Sequence, residues 1–193
     1  MTSWNVVAEY FRLFRYGLKA PPSVENSRST ESLSSYAYPT HRNFLQATVA
    51  EDIVLDRGFG VDALMEDWKS ISLHHQDLNI SLVRLENGIG NSLVATVQAH
   101  CKISEDSIGH IFPHLVDDDD GEHARLVTKL VGQSLGIPCT ICFVCDDATE
   151  EIVSMHYTSD MMTPLMRILG NLEDVSRVLG GSSAQLPVTG FSD

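Results

Sequence analysis

The chain has 193 residues, enough for one well-filled core and short for two. Its 43% hydrophobic and 20% charged residues exclude a wholly disordered chain, and no run approaches the ~18 apolar residues of a membrane span. With 13 Lys+Arg against 26 Asp+Glu the net charge is −13, which repels a phosphate backbone, and no basic cluster offsets it. The first twenty residues carry Glu9, Arg12, Arg15 and Lys19 among periodic apolar residues, which is not the pattern of a secretory signal. Four cysteines are too few for a disulfide scaffold, so reduced thiols in the cytoplasm or nucleus are expected.

From Ser3 to Gly17 the pattern predicts a helix, with Trp4, Val7, Phe11, Phe14 and Leu18 on one face and Thr2 or Ser3 as its cap. Residues 21–38 are Ser-rich and aperiodic, which predicts a mobile loop. A second helix is expected from Pro39 or Thr40, with Phe44, Leu45 and Thr48-Val49 inward, and Gly58 and Gly60 break the chain after it. Val61, Leu64, Met65, Trp68, Ile71 and His75 predict a third helix.

After Gln76 the period becomes that of a strand. Asn87-Gly88 marks a turn, and a strand over Ser92–Lys102 has two distinct faces. Leu93, Ala95, Val97, Ala99 and Cys101 share one; Val94, Thr96, Gln98, His100 and Lys102 share the other. An irregular stretch around Ile111–Leu115 and an acidic loop at Asp117–Asp120 follow. Three more strands are expected over about Arg125–Leu135, Thr140–Cys145 and Ile152–Thr158, with Gly136-Ile137-Pro138 as a turn between the first two. A final helical segment over Met162–Leu179 places Leu165, Leu169, Leu172 and Val175 inward, and residues 180–193 read as a disordered tail. The expected architecture is one α+β domain over residues 1–179, helices packed on a curved antiparallel sheet with a C-terminal helix.

The helix WNVVAEYFRLFRYGL (Trp4–Leu18), the segment Phe44–Gly58, the stretch IFPHL (Ile111–Leu115) and the end DMMTPLMRILGNLEDVSRVL (Asp160–Leu179) resemble the domain that follows the basic zipper in oomycete bZIP transcription factors. That domain is similar to the SnoaL-like, nuclear-transport-factor-like cone. The resemblance implies a pocket within the cone and pairing through the sheet. The family's basic region and zipper heptads would precede Trp4, so its DNA binding does not carry over to these residues. What carries over is a dimerisation or ligand-binding module, pairing with itself or with related bZIP proteins. The alternative is a SnoaL-like isomerase, cyclase or dehydratase working through histidine and tyrosine.

Cys139, Cys142 and Cys145 are spaced as metal ligands, but on a strand Cys142 points away from the other two, so they read as strand cysteines. The Asp117–Asp120 run lacks the first and last ligands of a calcium loop, because Val116 and Val127 occupy those positions. No metal, cofactor or catalytic residue is assigned. His74 and His75 read as a partly exposed helix end, with at most one facing inward. Gly88 and Gly90 lack the third glycine and following helix of a dinucleotide site. The candidate pocket for a small apolar ligand comprises Phe14, Trp68, His100 and Tyr157, with His156 as a further acid–base candidate. The candidate dimer surface comprises Val94, Thr96, Gln98 and His100. The charge leads to a first prediction. In a mobility assay at physiological salt the chain leaves duplex DNA unretarded; a shift competed by one specific sequence would refute it.

Overall fold

The computed structural model describes residues 2–18, 38–116 and 121–180. The predicted mobile loop, the acidic loop at Asp117–Asp120 and the predicted tail lie outside them, apart from Tyr38 and Gly180. Helix α1 spans Ser3–Leu13, capped by the Thr2 hydroxyl, and buries Val6, Val7, Tyr10 and Phe11. It is shorter than predicted. Phe14 ends it, and Arg15–Leu18 form a short strand, β1, beside β4 (Gln76–Asn87). The cause is Gly17, which adopts a left-handed φ of 67°. A Cβ there would collide with the Ser72 hydroxyl, whose oxygen accepts a hydrogen bond from Leu18 N at 2.8 Å. Trp4, expected inward, is 42% exposed, and its indole donates to Asn87 Oδ1.

Helix α2 (Pro39–Thr48) opens on a proline at its first turn and buries Leu45. It runs directly into β2 (Val49–Leu55), which pairs with a two-residue β3 (Gly58–Phe59). Neither strand was expected. Helix α3 (Val61–His74) buries Leu64, Met65, Trp68 and Ile71 as its period predicts. It ends on His75, which is the one histidine of the pair that faces inward; His74 is half-buried. The His75 Nδ1–H donates to Ile71 O at 2.9 Å.

Strands β4 and β5 (Ser92–Lys102) form the expected hairpin, and β5 buries Leu93, Ala95, Val97, Ala99 and Cys101. An unexpected helix, α4 (Glu105–Ile111), opens on a reciprocal Ser104–Ser107 capping box, and the stretch expected to be irregular carries a 3₁₀ turn at Pro113–Leu115. The strand predicted over Arg125–Leu135 is instead helix α5 (Gly121–Leu130). Its buried residues, Leu126 and Leu130, lie one helical turn apart.

The predicted turn at Gly136-Ile137-Pro138 is interior to β6 (Ser134–Cys145). Proline is tolerated because the Pro138 carbonyl accepts from Asp160 N at 3.0 Å. Its nitrogen faces that same side, just past the last ladder pair, Cys139 with Ser159 of β7 (Ile152–Ser159). The predicted C-terminal helix is two, α6 (Met162–Leu169) and α7 (Leu172–Leu179), broken at Gly170 with φ 79°. Leu172, expected inward, is exposed, whereas Asp174 is buried and receives Arg125, Lys129 and Asn171. These donors, Arg125 foremost, hold its carboxyl well below the usual carboxylate range.

The sheet order is β3-β2-β7-β6-β5-β4. Pairing is antiparallel except between β2 and β7, which is parallel and departs from the all-antiparallel expectation. Helices and the inner sheet face share one hydrophobic core. Burial of His75 lowers its pKa to about 4, an effect that the Ile71 hydrogen bond opposes and neighbouring His110 and His74 reinforce. Its contribution to stability is complete above pH 6.5 and declines as pH falls toward about 4, because only the unfolded chain takes up the proton in that window. The loss amounts to roughly 3 kcal/mol over the window. Urea titrations between pH 7 and 4 test this: His75→Phe is expected to remove that part of the slope, and an unchanged slope would refute the assignment.

Candidate functional site

Strict alternation on β5 sends its small apolar side chains toward α1 and α3, and the space they leave unfilled is a cavity of about 50 Å³. Trp68 and Ile71 of α3, Phe11 of α1, Val97 and Ala99 of β5, and Tyr157 of β7 line it, together with neighbouring apolar residues of β4 and β6. Aromatic rings brace one side. Phe14 stacks on Trp68 with centroids 4.7 Å apart, and Tyr10 meets Phe143 edge-to-face at 5.7 Å. The Trp68 indole donates to the Tyr10 hydroxyl at 2.9 Å in a fully buried contact.

Burial raises the pKa of both Tyr10 and Tyr157 well above the ordinary phenol value. Both are therefore neutral phenols at physiological pH, able to donate but not to act as bases. Burial likewise raises the Cys101 thiol to about 11 and the Cys139 thiol to about 12, the latter reinforced by Cys101. Protonated thiols are poor nucleophiles and poor metal ligands. The carboxylate whose field reaches both tyrosines is Asp67 of α3. Its own pKa is raised by partial burial and pulled back by Arg57.

The four predicted pocket residues separate. Trp68 and Tyr157 line the cavity; Phe14 lies behind Trp68, buried between it and His41. His100 is on the opposite, outer face of the sheet and is exposed. Its ring lies over Gly136, where a Cβ would come within 3.2 Å of it. Val94, Thr96 and Gln98 share that outer face and are half-buried. They face Cys142, Thr140 and Pro138 of β6 across the ladder.

On β7 of the same outer face lies a hydrogen-bonded chain that the sequence did not reveal. Tyr157 N donates to Asp56 Oδ2 at 2.8 Å, Asp56 Oδ1 lies 3.0 Å from His156 Nδ1, and His156 Nε2 lies 2.7 Å from Ser154 Oγ. The connectivity is that of a nucleophile, a base and its orienting carboxylate. It lies outside the cavity, and the His156 side chain is 53% exposed to water, which screens the charge stabilisation that acyl transfer needs.

The chain's architecture has close parallels among solved structures. TsrD from Streptomyces laurentii superposes with a TM-score of 0.53 at 13% identity, covering 88% of this chain and 96% of that one. A SnoaL-like polyketide cyclase from Agrobacterium tumefaciens str. C58 gives a TM-score of 0.55 at 13% identity, over 88% and 99% of the two chains. The fold is the SnoaL-like cone. Within this cone, residues 4–74, from α1 through α3, match the family model of the bZIP transcription factor 1 C-terminal domain. No curated protein matches the chain in sequence. Among the described residues no helix is long and apolar enough to cross a membrane.

Strand alternation also separates the thiols of the cone: Cys101, Cys139 and Cys145 are buried, whereas Cys142 is partly exposed. Alkylation with iodoacetamide at neutral pH should therefore modify Cys142 first and leave the other three until the chain unfolds. Peptide mapping that finds Cys139 modified in the folded protein would contradict the assigned faces.

Proposed function

We propose that this cone is a non-catalytic association module of transcription regulators, pairing through the outer face of its sheet with a second copy or with zipper-bearing relatives in the nucleus. The observation that carries this reading is the character of the interior. Ligand sites for drug-sized molecules occupy about 300–1,000 Å³, and the cavity of about 50 Å³ is far below that. It holds a few atoms, so any ligand is small and apolar. Its phenols and thiols are all held in the protonated form, which leaves no base in the cavity for proton abstraction. The match of residues 4–74 to a domain of bZIP factors supports the regulatory context.

The outer face supports the pairing. Val94, Thr96, Gln98 and His100 continue into Thr140, Cys142 and Thr158, a surface that mixes apolar and polar groups as non-obligate interfaces do. A second reading, a SnoaL-like isomerase, cyclase or dehydratase, draws on Asp67 beside the two buried tyrosines. It requires the cavity to enlarge before substrate enters. Sedimentation velocity separates the two. The wild type is expected to be a dimer at micromolar concentration, and Thr96→Lys a folded monomer. A monomeric wild type that recovers no zipper-bearing relative in a pull-down would defeat the association reading.

A further inference from the structure

Two histidines outside both the cavity and the outer sheet face carry an unsatisfied demand. His114 is in the 3₁₀ turn at Pro113–Leu115, and His123 is in the first turn of α5. Their rings meet edge-to-face with centroids 6.2 Å apart. In each ring Nδ1 is inaccessible to solvent and has no hydrogen-bond partner. A buried polar atom left unpaired costs about 1–3 kcal/mol, so two of them in touching rings require an explanation.

The tautomer of His114 narrows the explanation. Its Nε2 lies 3.0 Å from the main-chain carbonyl of Arg177 in α7. A carbonyl only accepts, so Nε2 carries the proton and Nδ1 presents a bare lone pair. An imidazole whose far nitrogen donates to a carbonyl, with its near nitrogen free, is the arrangement that orients histidine toward a metal. His123, whose ring centroid lies 6.2 Å away, carries a second buried and unpaired Nδ1. Two imidazoles on one zinc, with Zn–N about 2.0–2.1 Å, have centroids about 5 Å apart, so a closure of about 1 Å completes the pair.

We propose that His114 Nδ1 and His123 Nδ1 form a two-histidine site for a divalent transition-metal ion of the imidazole-preferring class, with zinc as its simplest occupant. The site joins the 3₁₀ turn, α5 and α7 at one point. Among the described residues no group of three or more His, Cys, Asp or Glu could hold a metal, so these residues supply two ligands and no more. A net charge of −13 favours the approach of a cation. The inference is independent of how the sheet associates.

Isothermal titration of the full chain with zinc chloride, in a buffer that does not chelate, tests the site. The wild type is expected to take up one equivalent. His123→Phe keeps an aromatic ring and removes the nitrogen, and should weaken binding at least tenfold while the circular dichroism spectrum is retained. His114→Phe should do the same, and where it perturbs folding through the lost Arg177 contact, His123→Phe decides. His100→Ala and His156→Ala should leave the isotherm unchanged. Long-range nitrogen–proton spectra should show the metal-induced shift at Nδ1 of His114 and not at Nε2. No heat of binding in the wild type, equal affinity in His123→Phe, or loss of binding only in Cys142→Ser would each overturn the proposal.

Discussion

The pairing of β5 with β6 is the constraint on which the rest of the molecule depends. The two strands run in continuous register from Ser92 opposite Val144 to Lys102 opposite Ser134, with no bulge. Because side chains alternate, a slip of one residue would turn Leu93, Ala95, Val97 and Ala99 to water and draw Gln98 and His100 into the core. The burial of one face therefore fixes the whole ladder, and the ladder fixes where α1 and α3 can pack. Val97 and the small Ala99 face Phe11 and Trp68 across the cavity, which is the remainder of that fit.

Legibility followed the strength of periodicity. Strand β5 and helix α3 are readable because their apolar residues recur at two and at three to four residues without interruption. Strand β2 is not, because Glu51 and Asp52 interrupt its alternation, and its pairing with β7 depends on residues about a hundred positions away. Helix α5 was mistaken for a strand because Leu126-Val127 and Leu130-Val131 are apolar pairs, and the repeat of four between them is the helical signal. Pro138 reads locally as a turn, and only the end of β7 makes it compatible with a strand. At the site, Trp68 follows from the period of α3, whereas Tyr157 enters as a candidate through the resemblance to cone-fold proteins; both line the cavity. Asp67 carries no apolar signal in its helix, and Tyr10, although three residues from Val7 and four from Phe14 on the buried face of α1, has a polar hydroxyl that hides its inward position. The link from Asp56 to His156 spans 100 residues and has no local signature. His114 and His123 did carry a local signal, two histidines on either side of an acidic run, which the acidic residues alone obscured.

The two faces of the sheet divide the chemistry. The imidazoles of His100 and His156 are exposed on the outside, whereas the inside holds phenols and thiols that burial keeps protonated. Catalysis needs a tunable group, a binding volume and exclusion of water in one place. Here the cavity is about 50 Å³, and His100 and His156 lie on the opposite, exposed face of the sheet. In the proposed reading a SnoaL-like cone keeps its framework while its interior serves packing and its exterior serves association; fold alone does not decide between this use and catalysis.

The cavity has a mechanical consequence. Its lining is apolar apart from the Tyr157 hydroxyl and the Cys139 thiol, which in turn contacts the Ile137 carbonyl at 3.4 Å. Such a void stays dry, and its volume disappears when the chain unfolds into water. Unfolding then contracts the system by on the order of tens of mL/mol, so hydrostatic pressure acts selectively on the seam between α1, α3 and the sheet. Under compression that seam is where the cone would first admit water, and the β5–β6 ladder, whose inner side chains floor the space, would be reached from there.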